Sequence, residues 1–384
     1  MARDLLRHRD GHHARVGFVE LFFDLVFVFA ITQVSHTLLE HLSWLGVLQA
    51  AMLLGALWWA WIDTSWITNW LDPDRPLVRL MLFGLMAAGL VLSTSLPEAF
   101  GEKGLVFATA FVAIQVGRGL FTLWAVRDDA VLRANFQRIV VWAVAGGAVW
   151  IAGGLADGQT RLLIWLVALA LEFAGPMSAF WCPGLGRART SDWNVEGAHL
   201  AERVGLFVII CLGESIIITG ATFADLAWTA LTVSAFSSAF LGAIAMWWLY
   251  FSVKHDQASN VIAGSDDPGA IARRAYTYAP IPLVAGIVVT AVGDEMVLAH
   301  PAGHIEPAVA WVLLGGPALF LAGTAVAIFA VWKHWSRPRL AGLLALGGLA
   351  FAVPVSTPLA LSAASTAVLL AIGAWETIRP GGRT

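Results

Sequence analysis

Glu20 and Asp24 are the residues from which a function can first be argued. They stand four apart in RVGFVELFFDLVFVFAITQVSH (15–36), a run long and apolar enough to cross a bilayer, for which about 20 residues at 1.5 Å rise suffice. That spacing puts both carboxylates on one helical face, with Ile31 and Ser35 further along it. A charge at the centre of a helix in hydrocarbon costs at least ~2.5–3.5 kcal/mol, so it is retained with a partner or for a function. A second run, HLAERVGLFVIICLGESIIITGAT (199–222), repeats the design with Glu202, Arg203 and Glu214. Glu214 falls in the middle third of its span. A carboxylate there must pair with a cation such as Arg118, bind a proton, or face water.

Four more residues complete the intramembrane polar set. Arg118 lies in the fourth apolar span with Gln115 on its side, Glu172 in the sixth, and Asp63 near the end of the second. Two readings are open: a network that locks the bundle, or a pathway for a proton or small cation. The acids outnumber Arg118, which favours a cation or proton over an anion. Glu20 and Glu202, each close to a helix start, also suit the positive end of a helix dipole. His199-x-x-Glu202 has a spacing that can bind metal on one face, but as a single pair it reads as capping and solvation. No metal or cofactor is implied.

The elements that hold these residues follow from composition. The chain of 384 residues is 59% hydrophobic and only 13% charged, against about 25% charged in soluble domains. It is read as a polytopic, all-α membrane protein. Its two cysteines, Cys182 and Cys211, give neither a disulfide framework nor metal-ligand spacing. The first apolar run is too long for a cleaved signal and is expected to remain as a span. Twelve spans are expected near 16–38, 44–66, 77–96, 104–126, 138–155, 161–181, 198–221, 226–252, 275–298, 308–331, 340–353 and 356–377, with Pro354 separating the last two.

Orientation comes from the basic residues. With the N-terminus cytoplasmic, all of the 23 Lys and Arg fall on the cytoplasmic side except Lys103, Arg161 and the intraspan Arg118. Such a bias puts both termini in the cytoplasm.

The spans also repeat. LLGALWWAW (53–61) resembles FLGAIAMWW (240–248), and AAGLVLSTSLPEAF (87–100) resembles VAGIVVTAVGDEMV (284–297); shared Leu-Phe pairs align the first span with the seventh and the fourth with the tenth. Six spans per copy is an even number, so the repeats run parallel. The expected order is a basic tail over 1–15, repeat one over 16–181, a cytoplasmic linker over 182–197, repeat two over 198–378 and a tail over 379–384. Of the 19 tryptophans, Trp58, Trp59, Trp61, Trp66, Trp70, Trp247 and Trp248 concentrate at the cytoplasmic half of the second helix of each repeat, as an aromatic belt or packing surface. No Walker loop, dinucleotide glycine pattern, nucleophile elbow or HExxH is present, and no basic stripe suited to nucleic acid.

ELFFDLVFVFAITQVSH (20–36) and AERVGLFVIICLGESIIITG (201–220) resemble the two signatures of the bacterial low temperature requirement protein A family. The likeness runs from about Val16 to Trp375. It implies a multi-pass membrane protein with a cold-growth association and no assigned substrate. A fainter likeness is to the lysosomal and bacterial potassium channels built from six-helix repeats, whose repeats open on Arg-x-x-x-Phe-Ser-Asp. Phe22-Phe23-Asp24 and Arg203-x-x-x-Phe207 are similar to that motif. Phe23 stands in place of its serine, Arg15 is out of register, and Ile209 stands where the second aspartate belongs. This resemblance implies that the first helix of each repeat lines a pore.

The expected protein therefore sits in a bacterial inner membrane and passes a small cation or proton, as a channel or cation-coupled transporter. Its pathway residues are Asp24, Glu214, Arg118, Glu20, Glu202 and Arg203, with Glu172, Asp63, Ser35 and Gln115 behind them. The bilayer and the transported ion are its partners; a homo-oligomer is left open. One alternative is an intramembrane enzyme or metal site built from Glu20, Asp24, His199, Glu202 and Glu214. Another is a scaffold in cold or stress adaptation without transport.

Overall fold

The computed structural model describes residues 5–7, 15–188, 195–252, 261–262 and 264–378. The tail 379–384, most of the tail 1–15 and part of the linker 182–197 lie outside the described residues. Twelve helices are long and apolar enough to span a membrane, as the sequence predicts: α1 Phe18–Glu40, α2 Trp44–Trp70, α3 Pro76–Glu98, α4 Gly104–Ala125, α5 Ala130–Leu155, α6 Gly158–Met177, α7 Gly197–Ala224, α8 Ala230–Phe251, α9 Pro268–Ala299, α10 Pro307–Trp332, α11 Arg337–Val355 and α12 Pro358–Ile378. Among the described residues there is no strand, only isolated bridges at Leu6–Leu71 and Cys182–Gly186.

Local chemistry fixes the helix ends. Proline opens α3, α10 and α12, where its missing N–H costs nothing and its φ is already helical. Asp129 caps α5 by accepting from the amides of Val131 and Leu132, so α5 begins eight residues before the hydropathy boundary at 138. α2 runs on to Trp70 through polar Thr64 and Ser65, whose hydroxyls donate to the carbonyls of Ala60 and Trp61. Bonded back to their own helix, they present no unmet donor to the interior. The start of α9 falls at Pro268 rather than 275. Pro354 sits in the 3-10 turn that ends α11.

The outer faces are what a bilayer requires. On α1, Phe22, Leu25 and Phe29 are exposed, whereas Glu20, Asp24, Ile31 and Ser35 are all buried. The polar stripe read from the sequence thus faces inward. The cluster Trp58, Trp59, Trp61, Trp66 and Trp70 is also buried; Trp59 packs on Phe173 at 4.6 Å and Trp70 on Phe136 at 5.6 Å. These five tryptophans of α2 are core, whereas Trp44 at the start of the helix is exposed.

The chain divides into two compact units. The first is Met1–Thr37, Trp44–Arg203 and Ser265–Ala270; the second is Leu38–Ser43, Val204–Gly264 and Ile271–Thr384. The division falls inside α7, after Arg203, and not in the 182–197 linker. The reason lies in the opening turns of α7, where His199 and Arg203 bond to α1 and α2.

In the first unit α3 packs on α4, α4 on α5, α5 on α6, and α2 touches both α4 and α6. In the second, α9 packs on α10, α10 on α11, α11 on α12, and α8 touches both α10 and α12. The glycines of the two similar sequence stretches each face another helix: a Cβ on Gly55 would meet Leu169 of α6, and one on Gly242 would meet Thr366 of α12. Between α9 and α10 the backbones nearly touch, since a Cβ on Gly286 would strike the amide of Phe320. Small residues permit that approach.

One outward basic residue has a structural explanation. Arg161 is buried and donates to the carbonyls of Ala99, Gly101, Gly153 and Ala156. It staples the α3–α4 and α5–α6 turns by filling carbonyls that helix ends leave without amides.

Candidate functional site

The first unit gathers most of the polar residues singled out by the sequence into two clusters, one on each side of α2. The first cluster is built on α1. Asp24 is fully buried, and its Oδ1 accepts from Nε1 of Trp61 on α2 and from Nη2 of Arg203 on α7, both at 2.7 Å. The same Nη2 reaches Oγ of Ser65 at 3.2 Å, and the guanidinium lies over the Trp61 ring at 5.7 Å. Two charged groups taken out of water this way hold only if each keeps its partner. Oδ2 of Asp24 and Nε of Arg203 have no hydrogen-bond partner among the described residues.

Glu20, one turn earlier, is also fully buried. Its Oε2 accepts from the amide of Gly17 at 2.8 Å and from Nη2 of Arg7 at 3.0 Å. Arg7 arrives from the segment that the sequence assigns to a basic tail. Its amide donates to the carbonyl of Trp70, its Nε donates to that of Thr68, and Leu6 bridges Leu71. This short antiparallel pairing at the end of α2 carries the guanidinium in.

His199 closes the cluster. Asn69 is fixed by exchanging two bonds with the backbone of Glu196, its Nδ2 donating to the carbonyl and its Oδ1 accepting from the amide. That orientation turns Nδ2, a donor, toward Nδ1 of His199 at 3.3 Å. Nε2 of His199 lies 3.1 Å from both Oε1 of Glu20 and Nη2 of Arg7, so one ring nitrogen stands between the carboxylate and the guanidinium that pair with each other. Two carboxylates, Glu20 and Asp24, face two guanidiniums, Arg7 and Arg203, and these four charges balance.

The second cluster, between α2, α4 and α6, does not balance. Nη2 of Arg118 donates to Oδ2 of Asp63 at 3.0 Å, and Nη1 to the carbonyl of Ala60 and to Oγ1 of Thr64, both at 3.0 Å. Gln115 accepts from Arg118 and donates to both Asp63 Oδ2 and Glu172 Oε2, at 3.4 and 3.3 Å. Oε1 of Glu172 is buried without a hydrogen-bond partner among the described residues. Two carboxylates share one guanidinium. Asp63 and Arg118 each stand seven residues before the end of their helix and Glu172 five, so all three lie about 8–10 Å from one end of the bundle at 1.5 Å per residue.

Other expectations fare differently. Arg118 is committed to Asp63, so it is not reserved for Glu214, which is half-buried in the second unit. Ser35 donates to the carbonyl of Ile31 on its own helix. Glu202 accepts from the amide of Val16 at 3.3 Å, just ahead of α1 and not at the start of its own α7. No group of three His, Cys, Asp or Glu able to hold a metal occurs among the described residues. Glu20 and Asp24 are taken by guanidiniums, an imidazole and an indole, which does not fit a metal centre. The sequence reading missed Arg7, Trp61 and Asn69. None of the three stood out from its neighbours in the sequence.

Comparison with known proteins adds a family and no mechanism. Residues 15–374 match the family described as bacterial low temperature requirement A protein. The chain is similar to the uncharacterized protein RA0937 of Rhizobium meliloti (strain 1021), with 39% identity over 380 residues that cover 97% of this chain and 91% of that protein. No solved structure matches.

Proposed function

The chain belongs to the bacterial low temperature requirement A family, and from that premise we propose that it passes protons or a small cation across the membrane through its first six-helix unit. One observation carries the reading: Asp63 and Glu172 share the single guanidinium of Arg118, with Gln115 bridging both. A desolvated carboxylate without its own counter-charge takes up a proton or a cation. The surplus site lies close to one membrane face, with the balanced Glu20–Asp24–Arg203 cluster on the other side of α2. Ala60, Asp63 and Thr64 meet Arg118, while Trp61 and Ser65 meet Asp24 and Arg203, so one stretch of α2 serves both.

The test is flux. Purified protein in proteoliposomes, loaded with a pH-reporting dye and given proton, Na⁺ or K⁺ gradients, is expected to conduct at least one of them, and Glu172→Gln is expected to abolish that flux. A pure scaffold conducts none of the three, and that result sinks the proposal. Unchanged flux in Glu172→Gln sinks the assignment of this site.

The same reading sets both termini in the cytoplasm of the bacterial inner membrane, on the strength of the skewed Lys and Arg distribution. Reporter fusions after Asp128 and Arg187 are expected to report cytoplasm, and fusions after Asp157 and His304 the opposite side. Any one reversal breaks the alternation.

A further inference from the structure

Asp294 is a buried carboxyl in the second unit that neither polar cluster of the first unit uses. It stands five residues before the end of α9 and is 8% exposed. No hydrogen bond or ion pair reaches it from the described residues. In the two similar stretches, 87–100 and 284–297, Pro97 occupies the corresponding place, so the acid is no part of what the two copies share.

Its surroundings are apolar. Leu298, one turn further along the same face, belongs to a buried cluster with Phe223 of α7, Ala235 of α8, Leu313 of α10 and Leu361 of α12. Thr290, one turn back, donates its hydroxyl to the carbonyl of Gly286 at 2.7 Å, so that proton is already spent.

The helices around it bring no cation. α9 packs on α8, α10 and α12. α10 carries no titratable side chain, α8 carries only Tyr250 and α12 only Glu376, both at the ends of their helices away from that cluster. The outer turns of α7 bring Glu214, followed by Asp225, both acids. α11 reaches the cluster through Leu349, whereas its Arg337 and Arg339 stand in its first turn. On α9 itself Glu295 is the next residue, and Arg273 and Arg274 lie about 30 Å back at 1.5 Å per residue. His300, His304 and Glu306, in the connection to α10, are exposed.

Ionised in this place, Asp294 would be a desolvated charge with nothing to offset its lost hydration. A metal ion would need several further oxygen ligands, and no group of three His, Cys, Asp or Glu able to hold one occurs among the described residues. A proton needs only one base. We infer that Asp294 is a proton-binding site of the second unit, held as the neutral acid in the folded chain at neutral pH. The inference is independent of the ion pathway proposed for the first unit.

The consequence is a linkage between folding and pH. An aspartate in the unfolded chain releases its proton near about pH 3.9, whereas the folded chain keeps it. The stability tied to this proton is full below that pH and is lost as pH rises, by up to about tenfold in the folding equilibrium per pH unit. Denaturant titration of the full chain in detergent measures it. Asp294→Asn and Asp294→Leu cannot ionise and strand no partner, so both are expected to fold. Relative to either, the folding equilibrium of the unaltered chain is expected to fall at least about tenfold between about pH 5 and pH 8. Infrared spectra of the chain labelled with ¹³C at its aspartate carboxyls are expected to show a protonated-acid carbonyl band at neutral pH that both variants lack. The inference is overturned by equal pH dependence in variants and unaltered chain, by a band that persists unchanged in the variants, or by failure of both variants to fold.

Discussion

Arg203→Met is expected to destabilise the protein by about 3–5 kcal/mol, the usual cost of stranding the partner in a buried ion pair. The substitution leaves Asp24 fully buried with only the Trp61 indole at 2.7 Å. It also removes the guanidinium from the Trp61 ring and from Ser65. The partner substitution Asp24→Leu is also expected to be costly, because it leaves Arg203 buried with the hydroxyl of Ser65 and a more distant carboxylate, Glu20 at 3.9 Å. Together the two changes are expected to cost much less than their sum, since an apolar pair of similar volume often replaces a buried ion pair at little loss. Denaturant titration of the four proteins in detergent, followed by circular dichroism, closes the cycle. Additive costs would show that Asp24 and Arg203 are not coupled and that the cluster does not tie α7 to α1.

The second large effect separates a lock from a pathway. Arg118→Met removes the guanidinium that pairs with Asp63 beside Glu172, together with bonds to Ala60, Thr64 and Gln115. It is expected to cost about 3–5 kcal/mol. Glu172→Gln removes the surplus acid and leaves the Arg118–Asp63 pair intact, and its carboxamide oxygen can still accept from Gln115. Its expected cost is below about 1 kcal/mol, within the range of conservative changes, although flux is expected to disappear. Stability and flux therefore part company at Glu172 and fall together at Arg118. If Glu172→Gln unfolds as readily as Arg118→Met, Glu172 is a structural partner of Arg118 and the surplus-acid argument fails.

Much of this architecture is legible in the sequence, for a definite physical reason. In hydrocarbon every backbone polar group must be bonded within its own segment, so an apolar run of span length has few alternatives to a helix. Twelve runs give twelve helices, and the i, i+4 spacing of Glu20 and Asp24 already implies the inward face of α1 on which both lie. Asp63, Gln115, Arg118 and Glu172 could be named because charges inside apolar runs stand out from their surroundings. Their pairing could not. Sequence offered Arg118 to Glu214, whereas helix packing delivers it to Asp63, since which helices become neighbours is decided by steric fit between α2, α4 and α6. Arg7 was hidden for the same reason: in a polar tail a single arginine has no contrast, and only the pairing of Leu5–Arg7 with the end of α2 carries it to Glu20. His199 looked like a capping residue until packing set its Nδ1 beside Asn69 and its Nε2 between Glu20 and Arg7. The sequence by itself determined which segments cross the membrane and which charges they carry. The tertiary structure decided which charges meet, because contacts between residues as far apart as Asp24 and Arg203 depend on the packing of whole helices.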